Sequence, residues 1–300
     1  MKKIGFCGAG PMAIPMVLRM LKAGHAVNVW NRSREKIAPL VEAGAVATKT
    51  PSDMADCAVV FLCVFDSHAV ESIVFGPSGL AQLQGASVLV DHSTIDPSLT
   101  RSFATRLKDA NGMRWIDAPV TGGSTGAAEG SLVVFAGGSE ADVALVSPMI
   151  RAYAGTVHHV GPSGAGQSTK LCNQAIAATT LVAIAEAIIF AEKSGIDSSQ
   201  LARILAGGWG DSALLQTFGP RMTSRPSKII GTVSTMLKDL DVVASQSQIL
   251  KVPQPTVSAA HQTLRLAVAN QLGDEDLSQF IRLLRGNIGL PPTHREGDQS

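Results

Sequence analysis

Lys3-Ile4-Gly5-Phe6-Cys7-Gly8-Ala9-Gly10-Pro11-Met12-Ala13 decides the fold of this chain. A short apolar run reads as a β-strand, closes on glycines, and opens at Met12 into a helix reaching Ala23. Pro15 then falls in the first helical turn, where a missing N–H is tolerated. Gly8 to Ala13 matches G-x-G-x-x-G/A. The string alone is weak, but between a strand and a helix at the head of a βαβ unit it reads as a dinucleotide-binding turn. Gly8 permits the tight turn, and Gly10 lets the backbone approach a pyrophosphate with no Cβ between them. Ala13 takes the third glycine's place, where helix and strand pack closely. The helix N–H groups and its positive end face the diphosphate. Gly8, Ala9, Gly10, Pro11 and Met12 are therefore candidate cofactor contacts.

Outward from this turn, apolar runs alternate with amphipathic stretches. Strands are expected at 26–30, 58–64, 87–90, 114–117, 132–136 and 157–160. Helices are expected at 33–43, 96–110 and 139–153, with Ser33, Asp96 and Ser139 at their starts. The continuously apolar 58–64 suits a central parallel strand. This order implies an α/β fold, an N-terminal doubly wound Rossmann domain. From Ser163 the pattern turns helical to about Leu290 without a convincing strand. The expected division is 1–162 for nucleotide binding, 163–292 all-helical for substrate and oligomerisation, and a frayed tail at 293–300.

Composition narrows the function. The 300 residues carry 25 Lys and Arg against 24 Asp and Glu, a formal net charge of +1. With 45% hydrophobic and 16% charged residues, the chain can bury a large core. The absence of a basic excess argues against nucleic acid. Cys7, Cys57, Cys63 and Cys172 share no CxxC spacing, and the seven histidines share no metal-ligand spacing, so neither disulfides nor a metal site are expected. The apolar run after Lys2-Lys3 is cut at once by Gly5, Gly8, Gly10 and Pro11, which argues against a signal peptide, and the cysteine pattern leaves a reducing cytoplasm as the default. Residues 175–191 are nearly as long and apolar as a membrane span. A buried or interface helix is the favoured reading, and no membrane association is expected.

The end of the second strand chooses the dinucleotide. An NAD site would put Asp or Glu there for the ribose 2′-OH. This chain has Asn31-Arg32-Ser33-Arg34. Guanidinium binds phosphate oxygens bidentately, so Asn31 and Arg32 point to NADP over NAD. The bland alternative is that Arg32 and Arg34 are solvated charges.

Taken together, four motifs resemble the β-hydroxyacid dehydrogenase family, the group of 3-hydroxyisobutyrate dehydrogenase and tartronate semialdehyde reductase. They are Gly5 to Ala13, Asp117-Ala118-Pro119-Val120-Thr121-Gly122-Gly123-Ser124-Thr125-Gly126-Ala127, Gly161 to Gln174, and Lys238-Asp239-Leu240-Asp241. The resemblance spans residues 1 to about 290. Departures are small: Ala13 for glycine, Thr121 where serine is common, Gln174 where a second asparagine is common. The resemblance implies a two-domain fold like that of 6-phosphogluconate dehydrogenase and hydride transfer between NADP and the hydroxyl carbon of a small 3-hydroxy acid, or reduction of the matching semialdehyde. It makes Lys170 the general acid/base and Asn173 its partner on the substrate. It assigns Thr121, Gly122 and Gly123 to a small carboxylate substrate, Thr94 to the cofactor, and Lys238 to closure over it; Leu62, Cys63 and Val64, at the end of the central strand, are expected to line the cofactor cleft through their backbone. It also implies a homodimer or homotetramer.

The residues make chemical sense on their own. Thr121-Gly122-Gly123 follows a strand end and offers a hydroxyl and unshielded amides, although a flexible turn would look alike. Lys170 and Asn173, three apart on a helix, share a face. Asp117 reads as structural. Lys238 could instead be a surface charge paired with Asp241. Trp209 could wall a pocket or pack in a core. An imine reductase-like enzyme and a catalytically silent scaffold are the alternatives, and both are disfavoured by the presence of Lys170.

Overall fold

The computed structural model describes residues 3–85 and 88–286. The chain forms two compact units, residues 1–173 and 174–300. The first holds a nine-stranded sheet in the order β3-β2-β1-β4-β5-β6-β8-β7, with β9 on β8. Its strands are β1 (Lys3–Cys7), β2 (Val27–Trp30), β3 (Val46–Ala47), β4 (Cys57–Leu62), β5 (Val88–Asp91), β6 (Arg114–Asp117), β7 (Val120–Thr121), β8 (Leu132–Gly137) and β9 (Ala154–Gly161). Pairing is parallel except where β8 meets β6 and β7. The helices are α1 (Ala13–Lys22), α2 (Ala38–Glu42), α3 (Ser67–Phe75), α4 (Pro97–Asn111), α5 (Gly123–Glu129) and α6 (Glu140–Ile150). The long α7 (Ala165–Lys193) begins in this unit.

Burial explains the sheet. Adjacent strand residues go to opposite faces. Phe6, Phe61, Val90 and Ile116 enter one apolar cluster, while Cys7, Val60, Leu89 and Trp115 enter another. Both faces are thus covered, which is why the strands read as continuous apolar runs rather than alternating ones. On the first face, Phe61 stacks on Phe6 and His92 and meets Tyr153 edge-on, centroids 6.1, 5.8 and 6.4 Å away. His92 is buried with both ring nitrogens engaged. Nδ1 lies 2.5 Å from the Ala118 carbonyl and Nε2 lies 2.7 Å from the Tyr153 hydroxyl. A carbonyl only accepts, so Nδ1 carries the proton and Nε2 accepts from the phenol.

Several expectations shift. The helix expected at 33–43 opens as a 3₁₀ turn, Arg34–Ile37. Ser33 does not cap it through its side chain; instead its carbonyl accepts from Asn31 Nδ2 (2.8 Å). α6 is capped by Ser139 as expected but stops at Ile150, and Tyr153 beyond it is fully buried. α3, α5 and the two-residue β3 and β7 are additional. The first has a plain signal, Asp66 accepting from the Ala69 N–H (2.8 Å).

The second unit contains the distal turns of α7 with α8 (Leu201–Leu205), α9 (Ala213–Thr223), α10 (Val233–Leu250), α11 (Pro255–Ala269) and α12 (Ile281–Leu284). Among the described residues, its β structure is a single bridge between Thr232 and Asp276. The expected end of the helical region near Leu290 and the tail at 293–300 lie outside the described residues. Strands give way to helices after Gly161, yet the compact units divide within α7, because its first turns are hydrogen-bonded to the sheet. By length and hydropathy α7 could cross a membrane; Leu181, Ile184 and Ile188 on it are buried, while Ile176 and Phe190 are exposed. Trp209 is also fully exposed, so it is not a core residue.

Tyr153 is the chain's single tyrosine, and burial raises its phenol well above the ordinary range. Tyrosinate absorbance in an alkaline titration is expected to appear only together with unfolding followed by circular dichroism. A phenolate signal that precedes unfolding would contradict the buried His92–Tyr153 pair.

Candidate active site

The order of the strands reverses between β1 and β4, and in open α/β sheets ligands bind at the carboxyl edge beside such a reversal. The turn after β1 is built for it. Gly8 has φ of +116°, its N–H donates to the Trp30 carbonyl (2.8 Å), and a Cβ there would stand 2.2 Å from the Cys63 carbonyl oxygen. Only glycine fits. A Cβ at Gly10 would meet nothing within 4 Å, so the space beside that residue is open to a ligand. α1 then begins at Ala13 with no side-chain cap and no acidic residue in its first turn. The Ile14 N–H turns back to the Gly10 carbonyl (3.0 Å) and Pro15 has no N–H, so it is the positive end of the helix that favours an anion here. These features fit a dinucleotide diphosphate.

Two cofactor expectations need adjusting. The Ala9 N–H donates to Asn31 Oδ1 (3.1 Å), so this amide shapes the turn rather than standing open. With Nδ2 on the Ser33 carbonyl, Asn31 ties the turn after β1 to the turn after β2. Leu62 is wholly buried and its carbonyl accepts from the His92 N–H (2.7 Å), so of residues 62–64 it is core. Cys63 and Val64 are half-buried at the edge, and Arg32 and Arg34 are exposed beyond β2.

From Val64 a chain of hydrogen bonds runs along the edge to α7. The Val64 N–H donates to Ser93 Oγ (3.0 Å). Gln167 Nε2 donates to the Ser93 carbonyl (2.7 Å), and Gln167 Oε1 accepts from the Ile95 N–H (3.2 Å). Thr94, half-buried, lies between those two anchors. At the end of β6, Asp117 accepts from the Gly164 N–H with Oδ1 (2.8 Å) and from the Gln167 N–H with Oδ2 (3.0 Å). It therefore caps the head of α7 from another strand. Contact is so close that a Cβ at Gly166 would lie 2.4 Å from both the Asp117 and Phe135 carbonyl oxygens. Lys170 stands one helical turn beyond Gln167 and is only 7% exposed; Asn173, a turn further, is half-buried. Asp117 is structural in this sense. Gln167 and Ser93 were not singled out by their sequence; the available signal was the three-residue step from Gln167 to Lys170.

Thr121 ends β7; Gly122 (φ +118°) precedes α5 and Gly123 (φ +65°) is its first residue. The stretch joins a strand end to a helix head. Ser124 in that helix is buried, with no hydrogen-bond partner for its hydroxyl. In the second unit, Lys238 pairs with Asp239 (2.8 Å), not with Asp241, which binds His261 and Arg265. Asp239 also accepts from Gln174 Nε2 (2.6 Å). Among the described residues, no cluster of three His, Cys, Asp or Glu side chains could hold a metal ion.

A family profile described as the NAD binding domain of 6-phosphogluconate dehydrogenase matches residues 3–161, and one described as the NAD-binding domain of NADP-dependent 3-hydroxyisobutyrate dehydrogenase matches 164–284. The chain belongs to the β-hydroxyacid dehydrogenase family. The 2-hydroxy-3-oxopropionate reductase of Escherichia coli K12 is 32% identical over 289 residues, 94% of this chain and 97% of that protein. A Mycobacterium tuberculosis 3-hydroxyisobutyrate dehydrogenase structure with L-serine has 29% identity and a TM-score of 0.84, covering 95% of this chain and 99% of that one. The structure of Psf3 in complex with NADP+ and 2-OPP has 26% identity and a TM-score of 0.86, covering 94% and 99%. As a member of this family, the protein is an NAD(P)-dependent hydroxyacid dehydrogenase.

Burial pushes the Asp117 carboxyl up to about 6, against the lowering effect of its backbone donors, and pushes the His92 imidazole down to about 4. Native Asp117 binds its proton more readily than the unfolded chain does, so its contribution to stability is full below its ordinary value and lost as pH rises through about 6. Native His92 refuses its proton, so its contribution is full above its ordinary value and lost as pH falls through about 4. The two oppose each other across that window. Asp117→Asn is expected to unmask the histidine, with urea-unfolding stability falling on acidification by up to about 1.4 kcal/mol per pH unit more steeply than in the wild type. Equal slopes in the two proteins would rule this out.

Proposed function

We propose that this enzyme is NADP-dependent and interconverts a small 3-hydroxy acid and its semialdehyde, with Lys170 as general acid/base. The observation that carries this reading is the continuous path Gly8–Cys63–Val64–Ser93–Gln167, which fixes the helix turn preceding buried Lys170 to the same sheet edge as the nucleotide turn. When bound, the nicotinamide supplies hydride chemistry. Lys170 gives a proton to the carbonyl oxygen in reduction and takes it from the hydroxyl in oxidation. Asn173, on the same helix face, hydrogen-bonds the same oxygen and keeps the lysine aimed. Thr121 and the amides of Gly122 and Gly123 hold the carboxylate. The names of the relatives support the substrate class, since 2-hydroxy-3-oxopropionate is a semialdehyde acid and L-serine a 3-hydroxy acid. The NADP+ in the Psf3 structure supports the cofactor, as does the exposed Arg32 beyond β2 with no carboxylate beside it.

A panel of 3-hydroxy acids and semialdehydes, 3-hydroxyisobutyrate and 2-hydroxy-3-oxopropionate among them, tests the class with each cofactor. Lys170→Ala is expected to slow single-turnover hydride transfer by about 10²- to 10⁴-fold while keeping NADPH affinity. A wild-type rate in this variant would defeat the lysine mechanism.

Arg32→Ala is expected to weaken NADPH binding by roughly ten- to a hundredfold, the worth of a charge-assisted contact, with NADH binding unchanged. Equal effects on both cofactors, or none, would remove Arg32 from the 2′-phosphate site.

A further inference from the structure

We propose that Gln167 is a positioning residue for Lys170, an inference that rests on the acid/base reading above. Its side-chain amide is a two-ended clasp around Thr94: Oε1 takes the Ile95 N–H at 3.2 Å and Nε2 gives its proton to the Ser93 carbonyl at 2.7 Å. Its own backbone N–H donates to Asp117 Oδ2 at 3.0 Å. Gln167 is fully enclosed. Three hydrogen bonds therefore tie one residue of α7 to the ends of both β5 and β6.

Position makes this clasp relevant to the reaction. Gln167 and Lys170 are three residues apart, so they rise from one face of α7 in successive turns. The segment Gln167 grips also holds Ser93, whose hydroxyl accepts from Val64, the residue after Cys63 at the nucleotide turn. The group that moves the proton and the segment beside the cofactor turn are thus set in register through a single amide. The backbone bonds to Asp117 hold the head of α7, and the side-chain clasp adds a second anchor on the segment beside the cofactor turn; a shift of about 1 Å in such a group can cost about a hundredfold in rate.

The chemistry of the clasp demands an amide. It needs an acceptor at one end and a donor at the other, and glutamine supplies both at the right length. Gln167→Glu keeps the shape but sets a carboxylate oxygen against the Ser93 carbonyl. Gln167→Met keeps the bulk and removes both bonds.

The test uses the full-length enzyme with NADPH and whichever semialdehyde of the panel turns over fastest. For both Gln167 variants, kcat is expected to fall by about ten- to a hundredfold with KM for the substrate changed by less than about threefold. The primary isotope effect from cofactor deuterated at the transferred hydride should rise, and the pH profile of kcat should shift. A purely structural role would lower the melting temperature and the active fraction, and would leave the isotope effect and pH profile of the remaining enzyme as in the wild type; that result overturns the proposal. Where Gln167→Met fails to fold, Gln167→Glu decides by the same readouts. Lys170→Ala runs in parallel. A wild-type rate there refutes the acid/base reading itself, whereas a dead Lys170→Ala beside unaltered Gln167 variants refutes the positioning role alone.

Discussion

One carboxylate at the end of a strand holds the head of α7 against the sheet. Asp117 terminates β6 and accepts the Gly164 and Gln167 N–H groups at the head of α7. A helix start buried without acceptors costs free energy for each orphan donor, commonly about 1–3 kcal/mol. The usual remedy is a Ser, Thr or Asp immediately before the helix. Here the acceptor comes from another element, so capping the helix and docking it become the same event. Glycine at 137 and 166 lets the backbone come close enough, since a Cβ at either would collide with Asp117 oxygens.

The cost of that arrangement is visible in the carboxyl's raised affinity for a proton: burial outweighs the backbone donors around it. A paired arginine would have lowered it, but would also have placed a second cation near the helix that carries Lys170. Backbone amides satisfy the carboxylate without adding charge. The neighbouring His92 follows the same rule. Its two nitrogens are met by a carbonyl and a phenol, so it stays neutral and braces Ala118, the residue before the Pro119-Val120-Thr121 strand end. Neutral, fully satisfied hydrogen bonds rigidify this edge of the sheet.

How much of this could be seen in the amino-acid order depends on the range of the signal. The nucleotide turn was legible because its requirements are local: a strand, two glycines and a helix head lie within eleven residues, Lys3 to Ala13. The parallel core was legible from residues such as Val59, Val60 and Phe61, whose neighbours go to opposite buried faces. α5 was missed because Gly123-Ser124-Thr125-Gly126 has weak helix propensity, and β7 because two residues carry no period. Pairings across long separations were not legible. Nothing local to Gln167 reveals Ser93, 74 positions earlier, and Lys238 pairs with its neighbour Asp239 although Asp241 lies at the usual helical spacing.

The division of the chain within α7 gives the last link. Residues up to Asn173 belong to the sheet unit, and Gln174 begins the helical one. Lys170 is therefore built into the same compact body as Gly8, Gly10 and Thr94, even though its helix continues far into the next. Gln174, the very next residue after Asn173, is committed elsewhere, donating to Asp239 of α10. The departure from asparagine at 174 therefore falls on a residue whose side chain faces the helical unit. The longer amide serves the packing of the helical unit, while Lys170 and Asn173 remain referenced to the sheet edge through Gln167 and Asp117. The helix that bears Lys170 is thus held at its head by hydrogen bonds to the ends of two parallel strands.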